Sequence, residues 1–499
     1  MRFSDVHKLW LKQWAMMAGL LDGGSRRGLP RRQIIAIAIG VVLVSTTFLL
    51  RWPQRIAATP PAVLPGHLAG VNLGGWLCLE DWFYSGDRGL HVSTVDEDGQ
   101  GRCLPPVLDH MPWRSEGNLT YELNKSKGTN FTIKAFAAHR HSFIGESDLV
   151  AIASLNLRMV RLPITWAAFA EALAPLDRKM YASHNPATDT TIVADPFYSD
   201  RAMVTIPRAW LEELLLRASR HGLQVLLDLH AFPGGSSDGT YNGVWPHAPA
   251  FWRNTSRVGQ AKLTDVGLWV VGACVGWLEG LPPEAKAGLL GLTVMNEPAH
   301  LNSQKHFAEE QQVLNWLTEA AQVFRASKLP QEGKKLYMQM IDTAFQDPSS
   351  TMLPWFLQTF SVAERGSWVV ADQHWYTAWD EKCAMRTDEA GLRCDMPIET
   401  IRTKMRSCAS AFAQDFQQQY GMQMAVSEFS VGSHEEAKFA CRDREVLMAF
   451  LQEQLSAWDA VGMQGFFWTW RMPYGKIFEP GWSLRWLAGL EDTAQLPCG

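Results

Sequence analysis

The sequence predicts an α/β fold, a (β/α)8 barrel, preceded by a single N-terminal transmembrane helix. Three observations lead there. Eight short apolar runs alternate with amphipathic stretches between residues 69 and 470. Most of those runs end on a polar side chain, and one early stretch of the chain has no charge at all. Eight strands alternating with helices suggest a parallel sheet, and eight is the number that closes a barrel. An open doubly wound sheet is the alternative. GVNLGGW, in the first run, lacks the GxGxxG spacing of a phosphate-binding turn.

In chain order, residues 1–33 form a basic tail. Arg2, Lys8, Lys12, Arg26, Arg27, Arg31 and Arg32 stand against Asp5 and Asp22. Residues 34–50, IIAIAIGVVLVSTTFLL, are uncharged and as a helix would reach roughly 26 Å, at the short end for a membrane span. The basic flank places the N-terminus in the cytoplasm. The favoured reading is an uncleaved signal-anchor, giving a type II membrane protein with its catalytic domain extracellular or in the secretory lumen. A cleaved signal peptide is the competing one, but its leader would be unusually long. Residues 51–66 read as a Pro-rich stalk. Residues 67–499 read as the barrel domain.

The eight runs are AGVNLGGW (69–76), LRMVRLP (157–163), LQVLLDLH (223–230), LTVMNEP (292–298), LYMQMID (336–342), WVVADQHWY (368–376), MQMAVSEFS (422–430) and MQGFFWTW (463–470). Helical stretches such as PRAWLEELLLRASRHG and REVLMAFLQEQLSAWDAVG fall between them. Residues 84–140 read as a long polar insertion in the loop after the first strand.

A net charge of −5 gives no case for a nucleic-acid partner, and 47% hydrophobic residues suffice for a large core. The 22 Trp far outnumber the 9 Tyr. Excess Trp reads first as core packing and second as the stacking surface of a sugar cleft. Sequons at Asn118, Asn124, Asn130 and Asn254 suggest glycosylation, three of them in an exposed loop. Of eight Cys, Cys78 (on a core strand) and Cys274 (in an apolar helix) read as buried thiols. The other six allow fifteen pairings, among which sequence does not choose.

In a barrel, polar groups at the C-terminal strand ends converge on one mouth. Here these are Arg161, His230, Asn296 with Glu297, His374 with Tyr376, Glu428 and Trp468. Each alone has a bland reading, such as a satisfied structural histidine or an arginine paired to a carboxylate. Burying so many polar groups would cost several kcal/mol without a purpose. Glu297 and Glu428, ending the fourth and seventh runs, would face each other.

These residues resemble glycoside hydrolase family 5, and within it the fungal exo-β-1,3-glucanases, over about residues 67–498. GVNLGGWLCLEDW, the block SFIGESDLVAIASLNLRMVRLPITWAAF, DLHAFPG, MNEP, IDTAFQ, DQHWYTAW, VSEFS and FFWTW follow in the family's order, and FEPGWSLRWLAGLE resembles the subfamily's tail. The resemblance implies Glu297 as general acid/base and Glu428 as nucleophile. It implies Arg161, His230, Asn296, His374, Tyr376 and Trp468 around the sugar. Glu80 matches a sugar-binding carboxylate, and Trp379 an aromatic at the cleft entrance. The insertion at 84–140 and the loop AFPGGSSDGTYNGVW depart from the pattern, and both border the cleft.

The implied reaction needs a proton for the leaving oxygen and a nucleophile for the anomeric carbon, which two carboxyl groups supply if their pKa values are held apart. Glu428 would attack, helped by Arg161 and Tyr376. Glu297 would be held protonated by its surroundings and by repulsion from Glu428. Asn296 would bind the 2-hydroxyl, and Trp468 would floor the ring. No ligand spacing implies a metal, and no cofactor is expected. The expected partners are a β-glucan or related glucoside and, through residues 34–50, the membrane; a monomer is expected. A β-glycosidase acting on another glucan or a glucosyl lipid, and a non-catalytic glucan-binding barrel, are the rival readings.

Overall fold

A computed structural model describes residues 64, 69–80, 83, 113–299, 306–339, 351–379, 383, 392–432, 441–472 and 480–490. Its centre is a closed barrel of eight parallel strands, in the order β1-β10-β9-β8-β7-β6-β5-β2. These are β1 (Ala69–Asn72), β2 (Met159–Thr165), β5 (Gln224–Ala231), β6 (Leu289–Thr293), β7 (Lys335–Gln339), β8 (Val369–His374), β9 (Met424–Phe429) and β10 (Met463–Phe467). Each of the eight apolar runs contributes one strand. Strands buried on both faces read as continuous apolar runs rather than alternating ones, which is why the pattern was visible. The remaining pair, β3 (Ile192–Ala194) and β4 (Ala202–Val204), is a small antiparallel hairpin between β2 and β5.

The barrel interior is built in layers, because side chains at i and i+2 of a strand face the same way. The lowest layer is apolar: Met159, Leu226, Leu290, Tyr337, Val370, Ala425 and Phe466. Two residues further along several of these strands come Arg161, Asp228, Gln339, Asp372 and Ser427, all buried. A further two residues bring His230 and His374. Outside the strands, helices such as Arg208–Arg220, Leu263–Glu279, Glu310–Ala326, Ile398–Tyr420 and Arg444–Asp459 close a large apolar core against the sheet.

β9 carries one extra residue. Val426 pairs with Gln373 on one side and Gly465 on the other, but the next pairs are His374 with Glu428 and Phe467 with Phe429. Such a bulge re-aims side chains. Ser427 follows the inward alternation from Ala425, and Glu428, which would otherwise point away, also turns into the mouth.

Several expectations change. LTVMNEP is strand only as far as Thr293, so Asn296 and Glu297 lie on the bend that follows β6. The described part of the 84–140 insertion is not a loop: Asn118 and Asn124 lie on the helix Glu116–Lys127 and Asn130 on the helix Thr129–Ser142. Ser115 caps the first by accepting the Asn118 N–H. Cys78 is buried, as Cys274 is, but in the turn after β1 rather than on a strand. Cys383 is bonded to Cys408 and Cys394 to Cys441; Cys103 and Cys498 lie outside the described residues. Residues 34–50 also lie outside them, and among those described no helix is long and apolar enough to cross a membrane. Leu64 is buried, its N–H donating to the Leu155 carbonyl.

The barrel wall admits no side chain at Gly291 in β6, where a Cβ would stand 2.0 Å from the Lys335 carbonyl oxygen of β7. Gly291→Ala must therefore push two paired strands apart. Its expected cost is about 1–3 kcal/mol or more, read as a lowered midpoint in thermal or denaturant unfolding. An unchanged midpoint would contradict the packing described.

Candidate active site

The mouth of the barrel gathers the polar side chains from the strand ends. At its centre is Arg161, on β2 and wholly buried. One guanidinium nitrogen donates to Asn72 Oδ1 at 3.0 Å and to Glu428 Oε1 at 2.5 Å. The other donates to Asn296 Oδ1 at 2.7 Å and pairs with Asp228 Oδ2 at 3.0 Å. Burial alone would lower its pKa, but Asp228, Glu428 and Asp372 around it outweigh that and raise it. Arg161 is a fixed positive charge.

Glu428 also accepts the Tyr376 hydroxyl at 2.7 Å. Both of its oxygens thus face donors, one charged. Burial first, then Glu428 itself, raise the Tyr376 phenol well above its ordinary value, so Tyr376 stays a donor.

Glu297 sits across the mouth. Its φ of 37° is in the left-handed region, uncommon for a residue with a side chain. The Gln339 side chain at the end of β7 accepts its backbone N–H at 2.7 Å. His374 Nδ1 lies 2.7 Å from Glu297 Oε1 and 3.4 Å from Glu428 Oε2. Burial would lower the His374 imidazole, but Glu428 and Glu297 overcome it and raise it to about 9. The resting proton therefore lies on His374, against Glu297.

Nearby, His230 Nδ1 donates to Asp228 Oδ2 at 2.6 Å, and its other nitrogen lies 3.9 Å from Glu80 Oε1. Thr240 donates to Glu80 at 3.4 Å. Trp468 stacks on His230 with ring planes 9° apart. Gly74 leaves room for that indole, since a Cβ there would stand 2.9 Å from it. Trp379 ends the 3-10 turn Thr377–Trp379, and its side chain lies outside what is described.

Several residues of this site were not singled out from the sequence, and Tyr241 was expected only as part of the loop that blocks the cleft. Asn72 donates to the Ser427 and Phe466 carbonyls while receiving Arg161. Asp228 and Asp372 each stand two residues before a site histidine. Gln339 fixes the Glu297 backbone. Tyr241, in the loop after β5, hydrogen-bonds Glu297, and burial followed by that carboxylate pushes its phenol well up. Trp482, from the C-terminal tail, packs on Tyr376 with centroids 5.5 Å apart. The repeated D-x-H, at 228–230 and 372–374, was the available signal for two of them. Tyr241 and Trp482 come from loops whose path no local pattern gives.

Among the described residues, Glu297, His374 and Glu428 are the three ligating side chains whose atoms lie closest together, all within 4.8 Å. A cation would have to displace the Arg161 and Tyr376 donors from Glu428. The arrangement suits proton transfer instead: one carboxylate takes hydrogen bonds from a guanidinium and a phenol, and one opposite it lies within hydrogen-bond distance of an imidazole.

No known family's sequence model matches the chain. It is 29% identical over 221 residues to a probable glucan 1,3-β-glucosidase A of Emericella nidulans, covering 44% of this chain and 42% of that protein. It is 27% identical over 170 residues to glucan 1,3-β-glucosidase 1 of Schizosaccharomyces pombe, covering 34% and 30%. The matched stretch thus spans under half the length of these relatives. In fold, it superposes on the crystal structure of a rutinosidase from Aspergillus niger with a TM-score of 0.53, at 15% identity, over 85% of this chain and 97% of that one. The chain is similar in sequence to fungal glucan 1,3-β-glucosidases, as its motifs suggested, and shares the barrel fold of the rutinosidase.

Proposed function

We propose that this protein is a retaining glycoside hydrolase acting on β-glucosidic bonds, with exo-action on β-1,3-glucan and release of glucose as its reaction. The observation that carries the reading is the opposition of Glu297 and Glu428, with oxygens within 4.8 Å of each other. Retaining hydrolysis uses carboxyl groups about 5–5.5 Å apart, whereas inverting hydrolysis leaves roughly 6.5–9.5 Å for a water. Glu428, hydrogen-bonded by Arg161 and Tyr376, attacks the anomeric carbon. Glu297 protonates the leaving oxygen and then takes a proton from the water that frees the sugar. Glu80, His230 and Asn296 face the sugar hydroxyls, and Trp468 lies under the ring.

Exo-action is supported by the loops after β1 and β5, which bring Glu80, Thr240 and Tyr241 together over one side of the site. The resemblance to glucan 1,3-β-glucosidases supports the substrate. An extracytoplasmic location, with residues 34–50 as the anchor and 67–499 as the catalytic domain, is supported by the two described disulfides, which form in oxidising compartments.

Four measurements test this. Glucose released from laminarin should appear first as the β-anomer by NMR, before mutarotation; an initial α-anomer would overturn the retaining route, and an early ladder of oligomers would overturn exo-action. Glu428→Gln should reduce turnover to background with substrate binding kept, since an amide of the same volume is a poor nucleophile. Glu297→Gln should lower kcat/KM on laminarin by about 10²–10⁴-fold and far less on a dinitrophenyl glucoside, whose leaving group needs little protonation; wild-type activity in either variant would remove that residue from the mechanism. Of the sequon residues, Asn130 is exposed, whereas Asn118, Asn124 and Asn254 are half-buried and hydrogen-bonded. In a eukaryotic host, Asn130→Gln should therefore abolish a glycosidase-sensitive mobility shift. No such shift in the unsubstituted protein would count against the proposed location.

A further inference from the structure

Beneath the two glutamates runs a chain of buried side chains that the mechanism above does not use. Asp372 Oδ2 accepts the Ser427 hydroxyl at 2.6 Å, and Asp372 Oδ1 accepts the Ser427 backbone N–H at 2.9 Å. Ser427 Oγ lies 3.1 Å from His374 Nε2, and His374 Nδ1 lies 2.7 Å from Glu297 Oε1. Asp372 and Ser427 are wholly buried and His374 nearly so. The β9 bulge makes the chain possible, because it turns Ser427 and Glu428 into the mouth together.

Both hydrogens of the serine link are accounted for. With its hydroxyl hydrogen committed to Asp372, Ser427 can only accept from Nε2, so Nε2 carries a hydrogen whatever the charge on the ring. Nδ1 is then the atom whose proton is free to move. We propose that Asp372 and Ser427 are positioning residues that hold His374 in the Nε2–H form, so that Nδ1 and Glu297 pass one proton between them. This rests on the reading of Glu297 as the general acid. The step is a proton transfer alone: the Nδ1–H bond breaks as an O–H bond forms on Glu297, leaving neutral imidazole and neutral carboxyl. Glu297 gives that proton to the leaving oxygen. In the second half-reaction the attacking water returns one to Glu297, and the pair is restored.

Without the serine hydroxyl nothing fixes the ring. Neutral His374 would then place its one hydrogen on Nδ1, donating to a Glu297 carboxylate that has no proton to give. The groups facing the imidazole are Glu297, from the bend after β6, Glu428 of β9 and, at longer range, Arg161 of β2. Those facing Asp372 are Ser427, His374 and Arg161, with Tyr337 of β7 on its lower side. Burial pushes Asp372 up to about 6 against the pull of these neighbours, so it is anionic at neutral pH and supports the proton on His374.

The test uses Ser427→Ala and the near-isosteric Asp372→Asn, with laminarin and a dinitrophenyl β-glucoside. Both variants should lose about 10–100-fold in kcat/KM on laminarin, part of the worth of a general acid, and under about threefold on the activated glucoside. The basic limb of the pH profile on laminarin should move down by about one unit, the size of one lost hydrogen bond to a charged group. A purely structural role predicts equal losses on both substrates, a lower melting temperature and an unmoved basic limb, and that result overturns the proposal. A second readout needs no activity. In ¹⁵N spectra of histidine-labelled protein, with His374 assigned through its loss in His374→Gln, neutral His374 should be the Nε2–H form in the unsubstituted protein and the Nδ1–H form in Ser427→Ala. The same form in both overturns the proposal. If the unsubstituted protein cleaves neither substrate, the reading of function falls, and the relay stands or falls on the spectra.

Discussion

The site depends on a charge that cannot leave. Arg161 is fully buried near the top of a barrel whose lower interior is hydrocarbon. Desolvating a guanidinium costs several kcal/mol, which only good geometry and complete hydrogen bonding offset. Arg161 meets this at both terminal nitrogens, with partners from β1, β5, the bend after β6, and β9, while its Nε has no hydrogen-bond partner among the described residues. Asp228 and Glu428 are in turn desolvated and need Arg161. Each partner is therefore held where the guanidinium holds it. Buried ion pairs are weak evidence for stability; what this one supplies is register. It sets Asn296, and so the bend that carries Glu297, relative to Glu428. The separation of the two glutamates follows from one side chain that both elements must satisfy.

The acid/base balance of the mouth follows from the same crowding. Glu80, Asp228, Glu297, Asp372 and Glu428 converge there, against Arg161, His230 and His374. For His230, burial lowers the pKa and Asp228 more than restores it; for His374 the two glutamates do the same. Glu297 and Glu428 both lie close to His374 Nδ1, at 2.7 and 3.4 Å. The imidazole stands between them, its pKa raised by the two glutamates. The acid is thus better described as a pair titrating together than as one carboxyl with a raised pKa.

Legibility tracked how local each constraint is. The eight strands were readable because parallel strands covered on both sides are apolar throughout, a property of short segments. The strand-end polar groups were readable because a barrel sends them to one place. The layer below was readable in principle: Asp228 and Asp372 stand at i−2 from site histidines, and in a strand that spacing means the same face. What was not readable is what two distant segments decide together. The β9 bulge exists only relative to the pairing of β8 and β10, and VSEFS alone gives no reason for Ser427 and Glu428 to share a side. Fifteen pairings of six cysteines were equivalent until the loop after β8 was placed. The fate of the sequon-bearing stretch, helix rather than loop, turned on packing: Leu119, Leu123 and Phe136 are buried in a cluster with Phe83 and Trp468.

That cluster indicates how the insertion can bear on the mouth of the barrel. The helices Glu116–Lys127 and Thr129–Ser142 do not reach the glutamates, but they support the segment that does. Glu116 accepts the Leu79 N–H at 2.9 Å, one residue from Glu80. Burial raises the Glu116 carboxyl to about 7 despite nearby Arg140, and Arg140 in turn donates to the Val204 and Thr205 carbonyls around β4. The insertion, the β3–β4 hairpin and the Glu80 segment are thereby one packed unit on the side of the mouth bearing Glu80, Thr240 and Tyr241. On the other side, two disulfides tie the loop after β8 to the helix Ile398–Tyr420 and to Cys441, and Trp482 braces Tyr376. The chemistry is set by strands that pair only one way. The shape of what enters is set by two separately anchored rims, so the rims can change with little effect on the distance between Glu297 and Glu428.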